Sequence, residues 1–231
     1  MSTAKKIHST TSPKHSEHQY TWLLEEFEKL QRARLSLVNN NSTLNTVAIQ
    51  PVLPAWRNLS RRQKLACFCK QIADDNCKAL SLRFSLEFMH RALTSTYTVK
   101  DYIRRTLNRN FQRKLGFIPL YMFVVEFDKT APNCFHIHGI IKYHASEQKI
   151  ISNILQETAL VGNNNSGFKK YCLKMHRLTN PVGWLGYISK EYRKFATNSY
   201  FSQSLTKLTQ KAYYDCRAET QSIPSYLYSN L

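Results

Sequence analysis

With 231 residues the chain is long enough to bury a full core, and its length fits one domain with an extension or two small domains. It carries 33 Lys and Arg against 15 Asp and Glu, a formal net charge of +18, which favours a polyanionic partner, nucleic acid first and an anionic membrane surface second. No apolar run approaches a membrane span, and six cysteines with no CxxC pair and no secretory signal ahead of them read as reduced thiols, not as a disulfide scaffold or a zinc site.

Residues 1–19 are polar and rich in Ser and Thr, and are expected to form a disordered basic arm. Over 20–38 the apolar residues Trp22, Leu23, Phe27, Leu30, Leu35 and Val38 recur at helical spacing, until NNNSTLN breaks the pattern. PVLPAW (51–56) reads as a loop or as an extended piece packed on a neighbour. Asn58 or Ser60 would cap a second helix reaching about residue 76, with Arg61, Arg62 and Lys64 beside Leu65, Phe68 and Ile72. Residues 20–77 are therefore expected to be a helical extension, whose basic cluster fits DNA phosphates and a solvated face equally well.

ALSLRFSLEF (79–88) alternates almost without fault, placing Leu80, Leu82, Phe84, Leu86 and Phe88 on one face, so one strand is predicted throughout. Residues 98–115 follow as a helix with Val99, Tyr102, Ile103, Leu107, Phe111 and Leu115 as its stripe, stopped by Gly116. YMFVVEF (121–127) and CFHIHGIIK (134–142) read as two strands joined by the hairpin loop DKTAPN. A helix is expected over 146–161, then the loop GNNNSG. FKKYCLKM (168–175) alternates as a strand, with Tyr171, Leu173 and Met175 inward and Lys170, Cys172 and Lys174 outward. NPVGWLGYISKEYRKF (180–195) begins a short helix near Pro181, and another helix is expected around 203–214 before a loose end. The order β-α-β-β-α-β followed by a helix predicts an α+β fold. Its antiparallel sheet, five-stranded or near, would have a ferredoxin-like, split βαβ arrangement with helices on one face and the other face open. The core domain is expected over 78–200, with a C-terminal helix and tail over 201–231.

The histidine strand carries the chemistry. His136 and His138 stand two apart and share one face of a strand, while Phe135, Ile137 and Ile141 take the other. With Glu126 across from His136 in an antiparallel ladder, its carboxylate joins the same face. Two imidazoles and a carboxylate with open positions suit Mn²⁺ or Mg²⁺, and could suit Zn²⁺. Alone, an HxH is more often a pair of ordinary strand histidines, one half buried and hydrogen-bonded. Tyr187 and Lys190, three apart, share a helical face. A phenol is a poor nucleophile until its target is activated, which a divalent ion on a phosphate oxygen can do, and Lys190 can neutralise or place that phosphate. Alone, Tyr187 is more often a packing residue on an amphipathic helix. Arg83, Lys170 and Lys174 are expected beside the histidines on the open face, and with Arg193 and Lys194 they are the candidate DNA contacts.

Together these stretches resemble three motifs of the HUH endonucleases, specifically the replication-initiator (Rep) type: ALSLRFSLEF a core strand, FHIHG with Glu126 upstream the histidine motif, and YISK the tyrosine motif. The resemblance covers residues 79–195 and includes element order. The tyrosine follows the histidines, as in Rep proteins and single-tyrosine transposases, whereas conjugative relaxases place it near the N-terminus and use three histidines. Tyr192 lies five residues beyond Tyr187, off its face, and is not read as a second nucleophile. The helical extension departs from the pattern of initiators from circular single-stranded DNA viruses. The resemblance implies a metal-dependent DNA-nicking and joining enzyme. Glu126, His136 and His138 would be its metal ligands, Tyr187 its nucleophile and Lys190 a helper. It would act on single-stranded or hairpin DNA in the cytoplasm of a prokaryotic host, with a host helicase and replication machinery as partners and no membrane. Rolling-circle initiation for a phage, plasmid or satellite element is the first expectation, and transposition or nicking of competing DNA would use the same chemistry. A non-catalytic sheet-based nucleic-acid binder is the rival that charge and aromatics alone allow.

Overall fold

The computed structural model describes residues 54–59, 63–64, 67–68, 71, 76–131, 133–162, 166–190 and 197–221. The expected arm and the helix over 20–38 lie outside the described residues. Five strands form one antiparallel sheet in the order β4-β1-β3-β2-β5: β1 (Cys77–Arg83), β2 (Leu120–Phe127), β3 (Phe135–Lys142), β4 (Leu173–Arg177) and β5 (Ser199–Phe201). Six helices accompany it among the described residues: α1 (Leu86–Thr94), α2 (Val99–Leu115), α3 (Gln148–Ala159), α4 (Ser166–Tyr171), α5 (Pro181–Ile188) and α6 (Gln203–Gln221). The fold is α+β, as the order of hydrophobic periods predicts. No helix among the described residues is long and apolar enough to cross a membrane.

The back of the sheet is the main core. Leu80 and Leu82 of β1, Phe123 and Val125 of β2, and Phe135, Ile137 and Ile141 of β3 meet Ile103, Leu107 and Phe111 of α2 and Ile151, Ile154 and Leu155 of α3. Helix α2 keeps its sequence-expected bounds because both ends are capped. Thr98 accepts a hydrogen bond from the Asp101 N–H, and Gly116 takes the left-handed conformation (φ 80°) and returns its N–H to the Gln112 carbonyl.

Two predicted strands are corrected. The alternation over 79–88 runs past the end of β1 at Arg83, because Ser85 caps α1: its Oγ accepts from the Phe88 N–H at 3.1 Å and donates to the Val161 carbonyl at 2.6 Å. Leu86 is consequently 75 % exposed, while Phe88 is buried from the helix and stacks on Phe84. The second correction concerns 168–175. Residues up to Tyr171 belong to α4 and β4 starts at Leu173, so Leu173 and Met175 do face the main core, whereas Tyr171 is exposed, not inward. Lys170 sits on α4, its Nζ 5.6 Å from the Tyr171 ring centroid, and not on the open face of the sheet.

The front face is not fully open either. Cys77, Ala79, Met122, Val124 and Ile140 alternate onto it and are covered by Trp56, Leu59 and Phe68 from the expected extension, Leu185 and Ile188 from α5, and Leu205 and Tyr213 from α6. Phe68 stacks on Phe201 at 4.2 Å, and the Tyr213 hydroxyl donates to the Pro54 carbonyl at 2.7 Å. The polar cluster of Arg83, Ser81, Glu126, His136 and His138 lies at one end of this face, while Lys142 of β3 and His176 of the edge strand β4 are polar positions towards the other.

Candidate metal centre and nucleophile

Register places the three expected ligands. His136 pairs with Glu126 of β2 on one side and Arg83 of β1 on the other, and His138 pairs with Val124 and Ser81. Directly paired residues point to the same face, so Arg83, Ser81, Glu126, His136 and His138 converge. The two imidazole Nε2 atoms are 3.0 Å apart, and Glu126 Oε2 lies 3.8 Å from that of His136 and 3.4 Å from that of His138. Two nitrogens bound about 2.1 Å from one ion at a right angle would stand about 3.0 Å apart, which the histidine pair matches. The group Glu126, His136 and His138 could hold a metal ion.

The surroundings favour that use. Burial holds both imidazoles below the ordinary histidine range, against the opposing pull of the Glu126 charge, and pushes His138 to about 4. Both are thus neutral near pH 7, the form that ligates a cation. Ser81 Oγ lies 2.8 Å from His138 Nδ1. When Nδ1–H donates to that oxygen, Nε2 presents its lone pair to the site. Lys190 Nζ donates to Glu126 Oε1 at 2.8 Å, leaving Oε2 turned towards the histidines.

Helix α5 brings the tyrosine. Pro181 occupies its first turn, and Asn180 caps it by accepting from the Gly183 N–H at 2.8 Å. Leu185 and Ile188 are buried in the front-face cluster, which turns Trp184 and Tyr187 over β3. The Tyr187 ring is 5.6 Å from that of His138, and Trp184 stacks beside it at 5.4 Å and 26°. Lys190, two residues past the end of the helix, still meets Tyr187, its Nζ 4.6 Å from the ring centroid.

Of the sequence-predicted site residues, Glu126, His136, His138, Tyr187 and Lys190 come together, with Arg83 and Lys174 exposed on the same face of the sheet. Lys170 does not join them, and Arg193, Lys194 and Tyr192 lie outside the described residues. Three further participants escaped the sequence reading. Ser81 was visible only as a polar strand position. Trp184 anchors α5 to the histidine strand, its Nε1 donating to the Gly139 carbonyl at 2.9 Å. Gly139 permits a close approach, since a Cβ there would lie 2.1 Å from the Met122 carbonyl oxygen. Comparison of the chain with family models, curated proteins and solved structures finds no match.

Proposed function

We propose that the protein is a metal-dependent nickase and ligase of single-stranded DNA that works through a tyrosine ester. The observation that carries this reading is the convergence, at one end of one sheet face, of a Glu126–His136–His138 ligand set with the phenol-bearing Tyr187 and the cation of Lys190. A divalent ion in that set supplies Lewis-acid activation of the scissile phosphate. Tyr187 Oη gives up its proton and attacks the phosphorus. The P–O3′ bond breaks, the 3′ oxygen takes up a proton, and a 5′-phosphotyrosine is left. Because the ester keeps a phosphodiester-like bond, a later 3′-OH can displace Tyr187 and reseal the strand. Lys190 holds the Glu126 carboxylate in its orientation and contributes positive charge near the phenol. Arg83 and Lys174 line the face along which the strand would run. The free 3′-OH suits priming of rolling-circle replication on single-stranded or hairpin DNA, with a host helicase opening the duplex.

The reading is tested by incubating labelled single-stranded DNA with the protein, with and without Mn²⁺ or Mg²⁺. Metal-dependent cleavage with a free 3′-OH supports it. DNA binding with no cleavage under any metal would favour the non-catalytic binder.

A further inference from the structure

On the opposite side of the molecule, α2 packs Ile103, Leu107 and Phe111 into the main core and turns Arg105, Arg109 and Arg113 to solvent. These positions are successive i, i+4 neighbours, each about 6 Å further along the axis and turned by about 40°, so they form a gently winding basic row on the exposed side of the helix. The helix holds six basic residues and one acidic residue. The nearby carboxylates are engaged elsewhere: Asp101 pairs with Arg104, and Glu157 of α3 pairs with Lys114. The arginine row has no carboxylate partner among the described residues. Like charges at i, i+4 destabilise a helix by a few tenths of a kcal/mol per pair, so the row stands against the interest of the free helix and fits a polyanion laid along it. At its N-terminal end the Tyr97 ring, 46 % exposed, carries the Arg105 guanidinium 4.1 Å from its centroid. An exposed ring with a cation beside it suits a base and its phosphate.

We propose that the exposed face of α2 is a second nucleic-acid docking surface. It would take the phosphate backbone of a segment other than the one seated at the tyrosine site, because the sheet lies between the two. The proposal rests on the DNA-acting reading of the front face, but its test needs no catalysis.

In a Tyr187→Phe background, binding of a long single strand is measured by fluorescence anisotropy across a salt series, with and without Arg105→Gln, Arg109→Gln and Arg113→Gln together. The expected result is a loss of affinity of about 10-fold or more at moderate salt, with the slope of log K against log salt shallower by about 2. A short oligonucleotide confined to the front face should bind both proteins alike. The three Arg→Lys changes should restore the slope, since phosphate neutralisation needs the charge and not the fork. Coincident slopes for the Gln variant and its parent would overturn the proposal. So would loss of binding to phosphatidylserine vesicles alone, or failure of the Lys variant to restore the slope. Failure of the nicking reading would show instead as the absence of any covalent adduct in the protein with Tyr187 intact, whatever the slopes.

Discussion

The two faces of the sheet follow the same alternation and meet opposite fates. Behind, Leu82, Ile137 and Ile141 are fully buried under α2 and α3. In front, polarity is graded along the strands. On β3 the sequence of front positions runs His136, His138, Ile140 before the strand closes on Lys142; on β2 it runs Glu126, Val124, Met122; on β1 it runs Arg83, Ser81, Ala79. The apolar middle is covered by α5, α6 and the segment around Trp56, and the cluster at the ends of the strands stays half-buried to exposed. One sheet face thus serves both as a second core and as a site. The buried half lies within two residues of Glu126, His136 and His138, so the fold itself positions the three candidate ligands.

That contrast can be broken from either side. His136→Ala together with His138→Ala should abolish metal binding by calorimetry and all metal-dependent cleavage, while the thermal transition of the metal-free protein persists, because the back face is untouched. Unchanged metal affinity would sink the ligand assignment. Ile137→Ala, between the two histidines but facing the other way, should do the converse. It removes a fully buried side chain, a change that costs about 2–5 kcal/mol by denaturant titration. Where the variant still folds it should keep its ligands.

Smaller effects sharpen the picture. Ser81→Ala removes the hydroxyl at His138 Nδ1, and Lys190→Ala frees the Glu126 carboxylate. Each should lower metal affinity or cleavage by about 10-fold to 100-fold without abolishing either. No change in metal affinity or cleavage for Ser81→Ala would show that the tautomer is set by other means. Smallest of all, Arg83→Ala and Lys174→Ala should each weaken single-strand binding and reduce the salt slope by about 0.7. Affinity that is flat from low to moderate salt would remove phosphate contact from the account.

Much of this was legible in the sequence, because the relevant period is short. Two residues apart on a strand is a local fact, so the shared face of His136 and His138 needed no tertiary information, whereas Glu126 joins them only through a register that the hairpin allows and the structure supplies. What failed was the reading of where a period stops. Leu86 and Phe88 continue the alternation of β1 only by coincidence, and the Ser85 cap with Glu87 in the first turn was the signal against it. Cys172 marks the similar break between α4 and β4. The partial cover of the front face was also missed, although Ala79, Met122 and Ile140 are apolar at positions that an open face would leave in water. Ser81 and Trp184 could not be found locally, since their partners His138 and Gly139 lie 57 and 45 residues away.

In the proposed reaction Tyr187, over the histidine strand, is the nucleophile whose oxygen bonds covalently to DNA. Labelled single-stranded DNA carrying the nick site, incubated with protein and Mn²⁺, resolved on a denaturing gel and followed by peptide mass spectrometry, tests it most directly. One adduct is expected, on the peptide containing Tyr187, lost on chelation and lost in Tyr187→Phe even though that variant folds and binds DNA. An adduct that persists in Tyr187→Phe, or that maps to Tyr192 or Tyr171, would contradict it.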